Sequence, residues 1–122
     1  ARKPPAEESE ALDDFGSFGL LRGVRERALF LELRLRDDSS TALNYSYLTR
    51  ADFDPSHGIA LNFGGVVVMI SGTNLGAEIR PNVRLFHSLL RHRVPWLQEA
   101  DRTALLQAHP GLVIIDEIKI EN

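Results

Sequence analysis

An alternation of apolar and charged residues in the first third of the chain constrains the fold most strongly. Leucines recur at every second position from Leu29 to Leu35, and Glu32, Arg34 and Arg36 occupy alternate positions. Successive side chains of a strand point to opposite faces, whereas a helix would spread these leucines around its circumference. The sequence therefore predicts a strand with four leucines facing a core and charged side chains facing water.

The same period continues through the following segments and predicts an antiparallel meander. Thr41–Phe53 is expected to form the second strand. Two apolar runs, Ile59–Phe63 and Val66–Ser71, flank Gly64-Gly65, a pair that adopts the positive φ angles of a tight hairpin turn at low cost. The second run is apolar at nearly every position, which is typical of a central strand covered on both faces.

Helical spacing replaces the period of two after Pro81, a residue favoured at the first position of a helix. This predicted helix ends before Pro95, and a short second helix is expected after Asp101. Leu112–Ile120 is expected to form the last strand. Strands, then helices, then one strand indicate an α+β fold, either a curved antiparallel β-meander or a small open barrel with one or two C-terminal helices and a final strand.

The charge of the chain is unevenly distributed. The net charge of the 122 residues is −3, and residues 1–19, with two basic and five acidic side chains, account for all of it. We therefore expect residues 1–19 to form a flexible acidic arm and residues 20–122 to form a single neutral α+β domain. Residues 1–19 lack the apolar run of a signal peptide, and no apolar run is long enough to span a membrane, so the expected location is cytoplasmic, without a membrane partner.

The composition and the missing motifs argue against most enzyme classes. The chain has no cysteine, which excludes disulfide scaffolds, thiolate nucleophiles and cysteine-ligated metals. It also lacks the nucleophile elbow, the phosphate-binding loop and the dinucleotide-binding glycine motif. The sequence therefore favours a protein that is not an enzyme and predicts no cofactor.

A basic stripe on the predicted first helix is the strongest candidate for a binding site. Its members are separated by four, three and four residues, which places them on one helical face: Arg80, Arg84, His87 and Arg91. Such a stripe suits phosphates of nucleic acid or an acidic protein surface. The alternative is a solvated face of an amphipathic helix. A further expectation is that the acidic arm folds back over the stripe and competes with an outside partner.

Two further groups of residues carry weaker predictions. Tyr45 and Tyr47 share one face of the predicted second strand and would suit base stacking, although half-buried sheet aromatics are the commoner case. Asp52, Asp54 and His57 combine metal-binding and acid–base side chains. However, an aspartate before a proline, such as Asp54, is also common in turns, where it bonds its own backbone.

The last strand has two alternative roles. It can close the chain's own sheet, or it can pair with another subunit, because an apolar edge strand is a template for association. The second alternative predicts a homo-oligomer in which Trp96, Val113 and Ile115 form the contact.

Three functional hypotheses follow from these patterns. The leading one is a non-enzymatic binding or assembly module that self-associates and carries the basic stripe. The second is a small-barrel nucleic-acid-binding protein that uses the stripe together with the two tyrosines. The third and most distant is a metal-dependent enzyme built on Asp52, Asp54 and His57.

Overall fold

The computed structural model describes residues 12–106 and 110–122, which form a β-rich α+β fold with several antiparallel sheets. The strands are β1 (Leu12–Asp14), β2 (Gly19–Leu21), β3 (Phe30–Arg34), β4 (Ser40–Asn44), β5 (Leu48–Asp54), β6 (Gly58–Phe63), β7 (Val66–Thr73), β8 (Glu78–Arg80), β9 (Val83–Arg84), β10 (Trp96–Gln98) and β11 (Ile114–Glu121). The helices are α1 (Leu85–Leu90) and α2 (Arg102–Leu106). Neither helix is long and apolar enough to cross a membrane, and this finding covers the described residues.

Strand β3 carries the inward leucines that the alternation predicts, but at two positions rather than four. Leu31 and Leu33 are fully buried, and Leu35 packs against the core after the strand ends. Leu29 is 77% exposed, so its predicted inward position is wrong. The pairing of β3 with β4 begins at Phe30. The side chain of a residue outside this pairing is not held on either face of the sheet.

Strands β5, β6 and β7 form the predicted antiparallel hairpins, and β11 adds to them in the order β11-β7-β6-β5. Gly64 and Gly65 connect β6 to β7 with φ angles of 62° and 103°, so the predicted tight turn is confirmed. β7 is an interior strand, as its apolar composition predicts. β11 pairs with β7 of the same chain, which is the first of the two roles considered for the last strand.

A parallel pairing modifies the predicted antiparallel meander. β10 lies parallel to β3, with Leu97 opposite Leu33, in a sheet of order β10-β3-β4. Within the described part of the chain no strand ladder joins this sheet to the four-stranded sheet, so they do not close into a barrel. The core lies among both sheets, the α1 helix and Phe18.

One buried carboxylate connects the two sheets. Glu99, which follows β10, is 8% exposed, and its oxygens accept hydrogen bonds from the backbone N–H of Arg36 at 2.8 Å and of Ile118 at 2.9 Å. The backbone N–H of Ala100 also donates to the carbonyl of Ile115. Glu99 and Ala100 therefore cover part of the outer edge of β11 inside the chain.

The helix predicted after Pro81 begins later than expected. Pro81 and Asn82 form the turn of the β8–β9 hairpin instead, and helix α1 begins only at Leu85. Asn82 has φ 65°, and its N–H donates to a carboxylate oxygen of Glu78 at 2.7 Å. Proline in the second position of a turn, followed by a residue in the left-handed region, is a strong turn signal that competes with helix initiation.

Residues 12–19, which belong to the predicted arm, contact the rest of the chain. Strands β1 and β2 pair with each other, and Phe18 between them is fully buried and bridges to Leu97. Residues 12–19 are thus packed on the body because their aromatic side chains enter the core. The rest of the predicted arm, residues 1–11, lies outside the described residues.

Candidate anion-binding site

Three guanidinium groups surround one carboxylate in a cleft of about 440 Å³, which we call the basic cleft; it is lined by Asp13, Leu20, Arg22, Arg80, Val83 and Arg93. Asp13 bridges two of the arginines: one carboxylate oxygen accepts from Arg22 Nε at 2.8 Å, and the other pairs with the Arg80 guanidinium. The cleft keeps an excess of positive charge after these pairs are counted.

Four separate segments place these side chains. Asp13 is the central residue of β1, Arg22 directly follows β2, Arg80 ends β8, and Arg93 follows α1. Backbone bonding holds two of them together, because the N–H of Leu21 donates to the carbonyl of Arg93 at 2.9 Å. The Arg93 guanidinium returns a bond to the carbonyl of Leu21 at 2.5 Å. The site is therefore fixed by main-chain contacts between distant parts of the sequence.

The electrostatics of the cleft favour negative groups. Hydrogen bonds from Arg22 and then from Arg80 lower the pKa of Asp13 below its ordinary value. The Arg80 guanidinium also lies 5.3 Å from the ring centroid of Phe15, which helps to orient it. Arg93 Nε is buried and has no hydrogen-bond partner among the described residues. The cleft can thus hold a carboxylate or phosphate group with charge-assisted hydrogen bonds.

The predicted basic stripe is preserved only in part. Arg84 and Arg91 cap helix α1 at its two ends, and His87 lies between them; all three side chains are exposed. Arg80 lies in β8, so its placement on the helix is wrong. The guanidinium groups of Arg84 and Arg91 make no hydrogen bond or ion pair within residues 12–106 and 110–122. The role of these four residues in binding stays a prediction.

The expected folding of the acidic arm over the stripe is observed at one pair. Asp13 belongs to the predicted arm, and it pairs with Arg80 of the predicted stripe. The three glutamates of the arm lie outside the described residues. An acidic protein side chain therefore occupies the basic cleft in the folded chain.

The two tyrosines do not form a stacking platform. Tyr45–Tyr47 is a 3-10 turn between β4 and β5, so the single strand predicted over this region is two strands. Tyr45 is buried, and its hydroxyl donates to the carbonyl of Val94 at 2.7 Å. Burial raises its pKa. Tyr47 is 62% exposed, which leaves one accessible ring rather than two on a shared face.

The group Asp52, Asp54 and His57 is divided between two local contacts. Asp52 pairs with Arg50 at 2.9 Å. Asp54 accepts from the N–H of Ser56 at 2.8 Å and lies 3.2 Å from His57 Nδ1, and these contacts lower the pKa of Asp54. This is the turn chemistry that the proline predicts. The described residues contain no group of three side chains suited to a metal ion.

The residues predicted to form a subunit contact are buried within the chain itself. Ile115 and Val113 belong to the core beneath β11. Trp96 is 8% exposed, and the guanidinium of Arg34 lies 4.4 Å from its ring centroid. The chain's own packing covers all three side chains. Their role in a subunit contact, like self-association itself, stays a prediction.

Sequence reasoning missed Arg22 and Arg93 as members of the site. Arg22 begins a short segment that also contains Arg25 and Arg27 with a single acid, Glu26, and this local excess of arginine was the available signal. Arg93 stood at the end of the predicted helix with no sign of a partner. Arg22 and Arg93 come together through contacts between distant parts of the chain, and local sequence patterns do not indicate such contacts.

Comparisons with known proteins give no family or function for this chain. No protein-family model, no curated protein and no solved structure matches the chain.

Proposed function

We propose that this protein is a non-enzymatic binding module that takes an acidic, carboxylate-bearing segment of a partner protein at the basic cleft. The observation that carries the proposal is the position of Asp13, whose two oxygens engage Arg22 and Arg80. A carboxylate between two guanidinium groups is the contact that an aspartate or glutamate of a partner would make. Asp13 thus serves as an internal stand-in for that ligand.

The surroundings of the cleft favour an extended segment over a single small anion. Arg84, His87 and Arg91 lie along the exposed side of α1, which leads directly to Arg93 in the cleft. The guanidinium groups of Arg84 and Arg91, which have no partner among the described residues, can pair with further carboxylates of the same segment. Several weak exposed pairs add up where each alone is worth little.

A binding titration tests this proposal. A fluorescently labelled peptide with alternating glutamates is titrated with the protein at low salt, beside a peptide with glutamines in their place. We expect the glutamate peptide alone to bind, and Arg84→Gln with Arg91→Gln to weaken binding by about threefold to tenfold, the sum of two exposed pairs. Arg50→Gln is the matched control, because Arg50 is exposed and pairs with nearby Asp52, outside the basic cleft.

The internal carboxylate provides a second, opposite expectation. Asp13→Asn removes the charge that competes for Arg22 and Arg80, so affinity for the glutamate peptide should rise by about threefold or more. Asp14→Asn changes the net charge equally, but Asp14 accepts from the N–H of Gly16 and does not line the basic cleft. Equal affinities for these two variants, or unchanged affinity in the double arginine variant, would contradict the assignment of the site.

Nucleic acid is tested as the alternative ligand in the same titration. The remaining 103 residues after residue 19 carry equal numbers of basic and acidic side chains, unlike a typical nucleic-acid-binding domain. A labelled single-stranded oligonucleotide is therefore expected to bind more weakly than the glutamate peptide. Tighter binding of the oligonucleotide, with a loss in Tyr47→Ala, would replace the proposal with the nucleic-acid hypothesis.

A further inference from the structure

Strand β5 lies at one edge of the four-stranded sheet, and its outer side is unpaired within the described residues. β6 pairs with its other side from Leu48 to Asp54. Apart from the turn bond at Asp54, no backbone hydrogen bond from another described segment reaches β5. Alternate residues of an edge strand direct their N–H and C=O groups away from the neighbouring strand. β5 therefore presents a row of backbone donors and acceptors that another strand could pair with.

The other edges of the two larger sheets are covered or shorter. Glu99 and Ala100 cover part of β11, and the N–H of Gln98 at the edge of β10 donates to the carbonyl of Ser17. β4 has five residues and no charged side chain, whereas β5 has seven residues. β5 is thus the longest open edge among the described strands of these sheets.

The exposed face of β5 carries two opposite charges at alternate positions. The side chains of Arg50 and Asp52 are 74% and 54% exposed. Ala51 and Phe53 alternate with them and pack against the core. Charges on an edge strand prevent pairing when like charges would lie opposite each other. Alternating signs remove this obstacle in a register that places arginine opposite aspartate.

The length of β5 and its charges select the same register for pairing with a second copy. Ala51 is the middle residue of the seven in β5. Antiparallel pairing about a two-fold axis at Ala51 therefore aligns the whole strand with its copy. The same axis places Arg50 of each copy opposite Asp52 of the other. Directly opposite Cβ atoms lie about 4.5–5.5 Å apart, and the small side chain of Ala51 fits at the axis.

Neighbouring registers bring like charges together. An axis at Arg50 would place this arginine opposite its own copy, and an axis at Asp52 would do the same for the aspartate. An axis at Phe53 would place Asp52 opposite Asp54. Like charges directly opposite destabilise a strand pair. The axis at Ala51 combines complete overlap of the strands with opposite charges at both positions.

We propose that β5 pairs edge to edge with β5 of a second copy of this chain, in the register centred on Ala51. The two four-stranded sheets then continue into one sheet, and Arg50 and Asp52 form ion pairs across the junction. Two-fold pairing occupies both edges that take part, so association through β5 stops at a dimer. No residue of β5 lines the basic cleft, so this interface is separate from the site proposed for an acidic segment.

Charge reversal tests the proposal by sedimentation velocity over a range of protein concentrations. We expect the unmodified protein to form a dimer as its concentration rises. Arg50→Asp and Asp52→Arg each place like charges opposite one another when the variant pairs with itself. Each variant is therefore expected to weaken self-association by about tenfold or more.

A mixture of the two variants separates strand pairing from effects inside one chain. In a mixed pair, the acidic positions of the Arg50→Asp chain lie opposite the basic positions of the Asp52→Arg chain. With a fluorescent label on one variant, we expect the equimolar mixture to recover the association that each variant has lost. The two charges within each variant chain remain alike, so contacts inside one chain cannot produce the recovery.

Lys119→Glu and Glu117→Arg are the matched controls. They change the net charge by the same amounts at exposed positions of β11, and they should associate as the unmodified protein does. The proposal is overturned if the unmodified protein stays monomeric at the highest concentration measured, or if the β5 variants associate as the controls do. It is also overturned if the mixture does not recover association. Binding of the glutamate peptide is measured separately, and its failure would leave these expectations unchanged.

Discussion

Tyr45 joins two parts of the fold through a single buried side chain. Its hydroxyl donates to the carbonyl of Val94 at 2.7 Å, and its ring stacks on His92 with centroids 4.5 Å apart. A buried phenol needs such a partner because its hydroxyl has left water. The turn that holds Tyr45 is thereby attached to the segment that carries Arg93 of the basic cleft.

Removal of this hydroxyl should destabilise the protein measurably. We expect Tyr45→Phe to lower the free energy of unfolding by about 1 kcal/mol, because the Val94 carbonyl loses its donor in a buried place. Urea denaturation followed by circular dichroism measures the change. Tyr47→Phe is the matched control and should leave stability unchanged, since Tyr47 is exposed. Equal losses in the two variants would show that the hydrogen bond does not matter.

His92 predicts how stability depends on pH. Burial and then the nearby charge of Arg27 lower the pKa of His92 below its ordinary value of 6.5. The unfolded chain therefore binds this proton at a higher pH than the folded chain does. The contribution of His92 to stability is complete above pH 6.5 and is lost as the pH falls from there towards the lowered pKa.

A variant without the imidazole isolates this effect. His92→Asn keeps a residue that tolerates the left-handed φ of 58°. Between about pH 7.5 and about pH 5.5 the wild-type protein should lose more unfolding free energy than the variant does. The measurement is a series of urea midpoints against pH. Parallel curves for the two proteins would contradict the lowered pKa of His92.

At the scale of elements, the β6–β7 turn contains the clearest backbone requirement. Gly65 has φ 103° and a side chain there would meet open space, whereas Gly64 has φ 62°, in the region that asparagine also adopts. We expect Gly65→Ala to cost about 1–2 kcal/mol of unfolding free energy and Gly64→Asn to be nearly neutral. Thermal denaturation compares the two, and an equal cost would show that the backbone angle is not the cause.

Local sequence patterns predicted those strands and turns whose local preferences match the pairing in the folded chain. Strand β3, the Gly64-Gly65 hairpin and the interior position of β7 follow from alternation, turn chemistry and apolar composition. The predicted helix begins too early because proline is favoured both at the first position of a helix and in turns. Asn82 adopts a left-handed φ, which favours the turn. β10 was missed because three residues carry too little pattern.

The candidate site was predictable to a smaller extent. Arg80 stood out through its basic neighbours, and the attraction of acidic residues 1–19 to it followed from charge alone. Arg22 and Arg93 enter the cleft because the backbone of Leu21 bonds the backbone of Arg93. That contact joins residues 72 positions apart, and no local signal specifies it.

At the scale of the whole molecule, Glu99 is the main polar link between the two sheets. Glu99→Gln replaces one oxygen by an N–H donor that would face the N–H of Arg36 or of Ile118. We expect a loss of about 2 kcal/mol of unfolding free energy, because one buried hydrogen bond is lost and two donors are brought together. Glu117→Gln on the exposed side of β11 should change stability little. Similar stability of the two variants in urea would contradict this role of Glu99.

The distribution of charge is uneven within a nearly neutral body. The basic cleft holds three arginines together with Asp13, and Asp38, Glu99 and Asp101 line a second cleft. A mean composition conceals both, since oppositely charged sites cancel in the net charge.

Mapping of an acidic peptide onto the protein by NMR shows whether the basic cleft is where the peptide binds. The amide signals of the ¹⁵N-labelled protein are followed as the glutamate peptide is added at low salt. We expect the largest shifts on residues 12–22 and 78–93, which carry the basic cleft and α1. Shifts confined to other residues, or no shifts with the glutamate peptide, would contradict binding at the basic cleft.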